Sequence, residues 1–205
     1  MKIRSGVWML ALFLLAFGST SCGNGVGNKD EVAVMETNYG NIVIEFMPGD
    51  APKHVANFKK LARENFYVGT KFHKLVKIGG KLIGIQGGDP NTINGDPSTW
   101  GQGQPGQPRV AAEFSKTLKH ERGVISALRS PNDPDSATSQ FIILTTPNPA
   151  WDGQYTIFAR VIEGMNVVDL ISKAPTLGGG DRPLDPVVVK SVRLVNRNEV
   201  KQQAP

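Results

Sequence analysis

Thiol chemistry is nearly absent from this chain, whose 205 residues include a single cysteine, Cys22. No intrachain disulfide can form, and no thiolate zinc site can be built. Histidine is almost as sparse: His54, His73 and His120 are dispersed, with no His-x-x-x-His pair or His/carboxylate cluster to hold a metal. Signatures of nucleotide and hydrolytic chemistry are missing too, since no GxxxxGK[ST], GxSxG or HExxH occurs. Residues 101–106 (GQGQPG) match G-x-G-x-x-G, but no strand precedes them and no helix or βαβ unit follows, so the match is a decoy. Charge of one sign is also scarce. The formal charge is +5, and discounting Lys2 and Arg4 of the N-terminal leader leaves +3. That excess is too small and too evenly spread for nucleic-acid binding. The basic residues of 116–122 are mixed with Glu121 and read as a solvated turn.

Long apolar runs are confined to the N-terminus. Lys2 and Arg4 form a positive start, residues 7–17 are almost unbroken apolar sequence, and residues 18–21 (GSTS) supply small side chains for a peptidase. This layout is that of an export signal over residues 1–22, too short to serve comfortably as a retained membrane anchor. Cys22 follows directly, and the arrangement resembles a bacterial lipobox, whose Cys becomes the lipid-modified first residue. Ser19 stands where such boxes usually carry an aliphatic residue, and ordinary signal cleavage with an incidental Cys22 is the other reading. An exported chain seldom keeps an unpaired thiol without reason, which favours the lipid. Residues 23–30 then read as a flexible tether, and residues 197–205 as a polar tail that frays.

Between these ends the 40% apolar, 20% charged composition is that of a globular protein. Residues 31–196 are long enough for one domain with a continuous core. Short β-type runs separated by Gly, Pro and Asn dominate. Residues 32–36 and 41–46 flank TNYG (37–40), a natural hairpin turn. Further strands are expected at 71–77, 82–86, 123–127, 140–145, 156–162 and 187–195. Pro52, after Asp50, opens a helix in which Val55, Phe58, Leu61 and Ala62 recur at helical spacing up to Asn65. A second helix fits 165–172, and 91–109 reads as a long surface loop. Many short strands with two helices suggest a closed antiparallel barrel, although the pattern alone admits a sandwich.

Three blocks decide between them: FYVGTKFHKLV (66–76), IQGGDP (85–90) and SATSQFIIL (136–144), followed by WDGQYTIFARVIEGMNVVD (151–169). In this order and spacing the chain resembles a cyclophilin, one of the β-barrel peptidyl-prolyl cis-trans isomerases, over roughly residues 32–195. The resemblance implies a mainly β fold: a closed eight-stranded antiparallel barrel capped by two α-helices. It implies isomerase activity on X–Pro bonds of unfolded or extended proteins, with no cofactor. The expected setting is the bacterial envelope, where the protein would be a monomer touching the membrane only through a lipid on Cys22.

Turning an X–Pro bond breaks amide resonance against a barrier of roughly 20 kcal/mol, and no covalent bond forms or breaks. The catalyst must bind the twisted amide better than either planar form. It needs an apolar slot for the ring, anchors for the flanking backbone and a donor to the prolyl nitrogen. In the family an arginine after Phe-His is that donor, and here Lys74 fills the position. Lysine keeps the charge but lacks the planar fork, so weakened catalysis is expected. Gln86 matches the family's catalytic-pocket glutamine, and Gln140 with Phe141 matches its Gln-Phe pair. Ile142 and Ile83 stand where aromatic residues usually frame the slot, and Leu128 replaces a small residue. Trp151 takes the place of a leucine, Tyr155 that of a histidine, and Ala150 that of a tryptophan. Residues 77–81 (KIGGK) lengthen the connection from Lys74 to Gln86. Each position also has a plain structural reading: Lys74 as a solvent-facing strand residue, Ile142 and Trp151 as core. A binding module that holds proline segments without isomerising them is the competing function.

Overall fold

The computed structural model describes residues 30–202; the leader, Cys22 and nearly all of the expected tether lie outside the described residues. The chain opens with a hairpin of β1 (Glu31–Thr37) and β2 (Gly40–Phe46), turning through Asn38 and Tyr39 as the sequence predicts. Helix α1 (Pro52–Arg63) follows, then β3 (Lys71–Phe72), β4 (Lys74–Ile78) and β5 (Lys81–Gly87). After a short helix α2 (Asn91–Asn94) come β6 (Val124–Ala127), β7 (Phe141–Leu144) and β8 (Ile157–Glu163). Helix α3 (Met165–Ser172), β9 (Val187–Asn196) and α4 (Arg197–Gln202) complete the fold.

Among the described residues, all nine strands form one antiparallel sheet in the order β3-β9-β1-β2-β8-β6-β7-β5-β4. Its two outermost members are the halves of one stretch of chain, bent at His73, so the sheet nearly closes on itself. The count is nine rather than the expected eight because of that bend. At the bend the His73 amide donates to the Gln86 carbonyl (3.1 Å), while Leu75 donates to Asp181 (2.7 Å).

Strand residues alternate between faces, and the register shows which side each takes. Leu75, Ile85, Ile143, Ile125 and Ala159 stand opposite one another across β4, β5, β7, β6 and β8. All five lie in the barrel interior with Phe58, Phe72, Phe141 and Phe158. The neighbouring row, Lys74, Gln86, Ile142, Ser126 and Ile157, faces outward. Helices α1 and α3 add Val55, Phe58 and Ala62, and Val167, Val168 and Ile171, to the interior.

Two details depart from the sequence expectation. The α1 N-terminus has no side-chain cap of its own. Glu113 supplies it from far along the chain, accepting the amides of Lys53 and His54 (both 3.0 Å) and meeting His54 Nδ1 at 2.7 Å. That satisfies donors every helix start leaves open. At the other end, the segment expected to fray from residue 197 begins as a helix. Asn196 Oδ1 accepts the Asn198 amide (2.9 Å), Arg197 pairs with Glu45, and Val200 packs on the outer cluster of Val32, Val34 and Val43. With one apolar residue, so short a helix has no periodicity to read.

Candidate active site on the outer face of the barrel

The outward row begins with Lys74 on β4 and Gln86 on β5, direct partners in the ladder. Gln140 lies one residue before β7 and therefore shares the outward side with Ile142. Gln86 Nε2 donates to Gln140 Oε1 (2.9 Å), and Gln140 Nε2 donates to the Gly101 carbonyl (3.1 Å). The sheet thus brings together the three polar residues the sequence singles out. A cleft of about 460 Å³ opens beside them, lined by Gln86, Gln140, Leu128, Arg129, Thr138 and the strap 101–104.

The strap is held from below by Asp89, which has no solvent exposure. Its carboxylate accepts the amides of Asn91 (3.0 Å), Gly101 (2.5 Å) and Gly103 (3.4 Å). Gly101 and Gly103 have φ of +89° and +70°, conformations open to glycine that turn successive N–H groups toward an anion. The G-x-G of the decoy motif therefore cradles the protein's own carboxylate. A chain of bonds runs from Asp89 through Gly101 to Gln140 and Gln86. Asp89 sits in the quoted IQGGDP block, but its partners in the strap, Gly101 and Gly103, lie beyond the reach of local reading.

The apolar side differs from expectation. Ile142 has no exposed surface and Ile83 only 4%. Together with Val124, Leu144 and Ile157 they form a cluster of their own outside the barrel interior, with the half-buried Leu128 and Trp151 among the side chains packed over it. Ile142 leans on Gly84, where a Cβ would come within 2.9 Å of its side chain. Ile83 joins this cluster through a bulge: the β4–β5 register skips it between Val76–Gly84 and Lys77–Leu82, which re-aims the side chain. Both isoleucines lie beneath the site and offer a ligand no open wall. Phe141, expected beside the groove, is a correction of a different kind. One residue from Ile142, it faces inward, 1% exposed, its ring about 6 Å from those of Phe58, Tyr67 and Phe72.

Trp151 and Tyr155 remain half-exposed, their rings 4.5 Å apart. Arg129, which the sequence reading does not single out, lies 4.6 Å over Tyr155 and donates to the carbonyls of Gln154, Ser130 and Pro131. Behind them the His120 ring meets Trp151 edge-on (6.1 Å), and its Nδ1 is 3.0 Å from Asp152. Burial holds His120 below the usual imidazole range, against the pull of Asp152. His73, beside Lys74, is likewise pushed down by burial, opposed by the Lys71 carbonyl and Asp89. Among the described residues no group of three His, Cys, Asp or Glu could hold a metal, and no helix is long and apolar enough to cross a membrane.

Residues 32–194 match the family model of cyclophilin-type peptidyl-prolyl cis-trans isomerases. The chain is a cyclophilin. A probable peptidyl-prolyl cis-trans isomerase of Brucella abortus is 35% identical over 182 residues, covering 87% of this chain and 89% of that one. A peptidyl-prolyl cis-trans isomerase of Arabidopsis thaliana is 38% identical over 162 residues, covering 78% and 93%. In three dimensions this cyclophilin is similar to that of Cryptosporidium parvum, with a TM-score of 0.69 and 27% identity over 81% of this chain and 98% of the other. That cyclophilin has also been crystallised in the presence of the dipeptide Ala-Pro (TM-score 0.68, 28% identity, 80% and 99% covered). Of the two functions the sequence admits, these relatives select the isomerase.

Proposed function

We propose that this cyclophilin turns X–Pro bonds of extended polypeptides with Lys74 as donor to the prolyl nitrogen and Gln86 and Gln140 as backbone anchors. The observation that carries this reading is the shared outward face of those three side chains, with Gln86 and Gln140 lining one cleft and Lys74 lining the recess that meets it at Gln86. As the amide twists, its nitrogen loses conjugation and becomes an acceptor; an ammonium on the adjoining strand stabilises that state and neither planar one. No proton need leave Lys74. Leu128, Trp151 and Tyr155 supply the apolar surface for the ring, in place of the buried isoleucines. Lysine's point charge aligns less rigidly than a guanidinium fork, so turnover falls below that of an arginine-bearing site. Exchange spectroscopy on an Ala-Pro peptide tests the anchors. Gln86→Ala should raise KM and slow cis–trans exchange; unchanged exchange would remove Gln86 from the site.

The same proposal extends to the cell. The positive start, apolar run and small residues of 1–22 support export to a bacterial envelope, with Cys22 carrying the lipid and residues 23–30 letting a monomeric domain stand off the membrane. Mass measurement of the mature N-terminus decides this. A diacylated Cys22 supports it, whereas an unmodified chain starting elsewhere contradicts the anchor.

A further inference from the structure

Adjoining the Gln140 cleft is a second recess of about 470 Å³, lined by Lys74, Gln86, Trp100, Gln102, Asp181 and Arg182, with His73 in its wall. The two recesses share Gln86, Gly101 and Gln102, so a peptide held at Gln86 has a continuous path from one to the other. The second is closed on one side by Trp100 and the strap and on the other by Asp181 and Arg182, from the turn before β9.

Its charge is fixed in place. Arg182 donates to the Pro97 carbonyl (2.6 Å), and its guanidinium carbon lies 5.4 Å from the centre of the Trp100 ring. Lys71 lies 5.3 Å from the same ring, and Trp100 itself donates to the Gly95 carbonyl (3.1 Å). The Lys74 ammonium makes no hydrogen bond or ion pair among the described residues, although its backbone belongs to the β4–β5 ladder. The lining carboxylate, Asp181, lies 3.6 Å from Lys77, and Asp96, which also feels Arg182, is open to solvent. Burial pushes His73 below the usual imidazole range, and the Lys74 and Arg182 charges push the same way. What remains is a guanidinium with spare donors and an unpaired ammonium facing one space, a pairing suited to a carboxylate.

We propose that this recess is a subsite for an Asp or Glu side chain on the segment flanking the isomerised proline. The inference rests on the placement of substrate along Gln86, and it makes Arg182 a specificity-determining residue. An acidic flank is drawn in and a basic one repelled, which is selection by both attraction and repulsion.

The test uses the full chain and peptides carrying Glu, Gln or Lys at each position within two residues of the X–Pro bond. Kd is read from chemical-shift titration and turnover from exchange spectroscopy. At one position, Glu should bind about tenfold more tightly than Lys at low salt, the ratio falling toward unity near 0.5 M salt as the field is screened. Arg182→Gln should flatten the ratio and Arg182→Glu reverse it, while Arg182→Lys retains part of it. Equal binding of Glu and Lys peptides at every position would overturn the proposal, as would an unchanged ratio in Arg182→Glu. A persistent Glu preference with no exchange in any peptide would instead count against Lys74 as donor and leave this subsite standing.

Discussion

Phe141 and Ile142 are adjacent in sequence and lie on opposite faces of one strand, and the two faces do different work. Inside, Phe141 closes an aromatic cluster with Phe58, Tyr67 and Phe72. Outside, Ile142 sits in a smaller aliphatic cluster that underlies the cleft. Both are fully covered, so β7 reads as an unbroken apolar run, FIIL, with the alternation that would reveal its faces erased. The barrel's stability resides in the inner face, and the outer face carries the site with a thinner foundation.

Substitutions on the two faces should separate these roles. Phe141→Ala should cost the most, about 3–5 kcal/mol in chemical denaturation, because it removes a buried ring that meets Phe58, Tyr67 and Phe72. Ile142→Ala should cost less, about 2–4 kcal/mol, and also alter KM by opening space under the cleft. A variant pair with equal stability loss and no kinetic difference would erase the distinction between faces. Asp89→Asn should follow at about 1–3 kcal/mol, since one buried acceptor becomes a donor against the strap amides. Loosening of the strap should show as a higher KM measured where the variant remains folded.

Acid should weaken the fold in two stages. His54, His73 and His120 are all held below the usual imidazole value of about 6.5 by burial. The unfolded chain therefore takes up their protons first, so their contribution is complete above that value and is lost as pH falls through it. Glu113 is opposed by burial yet held below the carboxylate range by His54 and the α1 amides, so its contribution disappears further down, below about pH 4. Thermal unfolding should be flat from neutral to mildly alkaline pH, drop below about pH 6.5 and steepen in strong acid. A melting temperature that rises between pH 7 and 5 would contradict the sign. The smallest effect belongs to the exposed Lys60–Glu64 pair on α1 (2.9 Å), whose loss in Lys60→Ala should be under about 0.5 kcal/mol.

Much of this arrangement is legible in the sequence, and the rest is hidden for identifiable reasons. Strand positions, α1 and α3 follow from local pattern and turn residues. Lys74, Gln86 and Gln140 are found through motif order, and the ladder then sets them side by side. Phe141 is misplaced because a motif groups it with Gln140 while the two-residue period sends it inward. Ile83 changes sides through a bulge created by the longer β4–β5 connection. The Glu113 cap and the Arg182–Trp100 contact join residues dozens of positions apart, and the Asp89 cradle reaches across a loop to Gly101 and Gly103; no local signal announces such pairs.

The most direct test compares cis–trans exchange of one Ala-Pro peptide under the wild-type chain, Lys74→Ala and Lys74→Arg. The account predicts that alanine lowers kcat/KM by about tenfold or more with the fold intact, as expected for loss of a charged hydrogen bond of about 1.5–3 kcal/mol, and that arginine raises it. Equal exchange rates for all three proteins would contradict the assignment of Lys74 as the donor to the prolyl nitrogen.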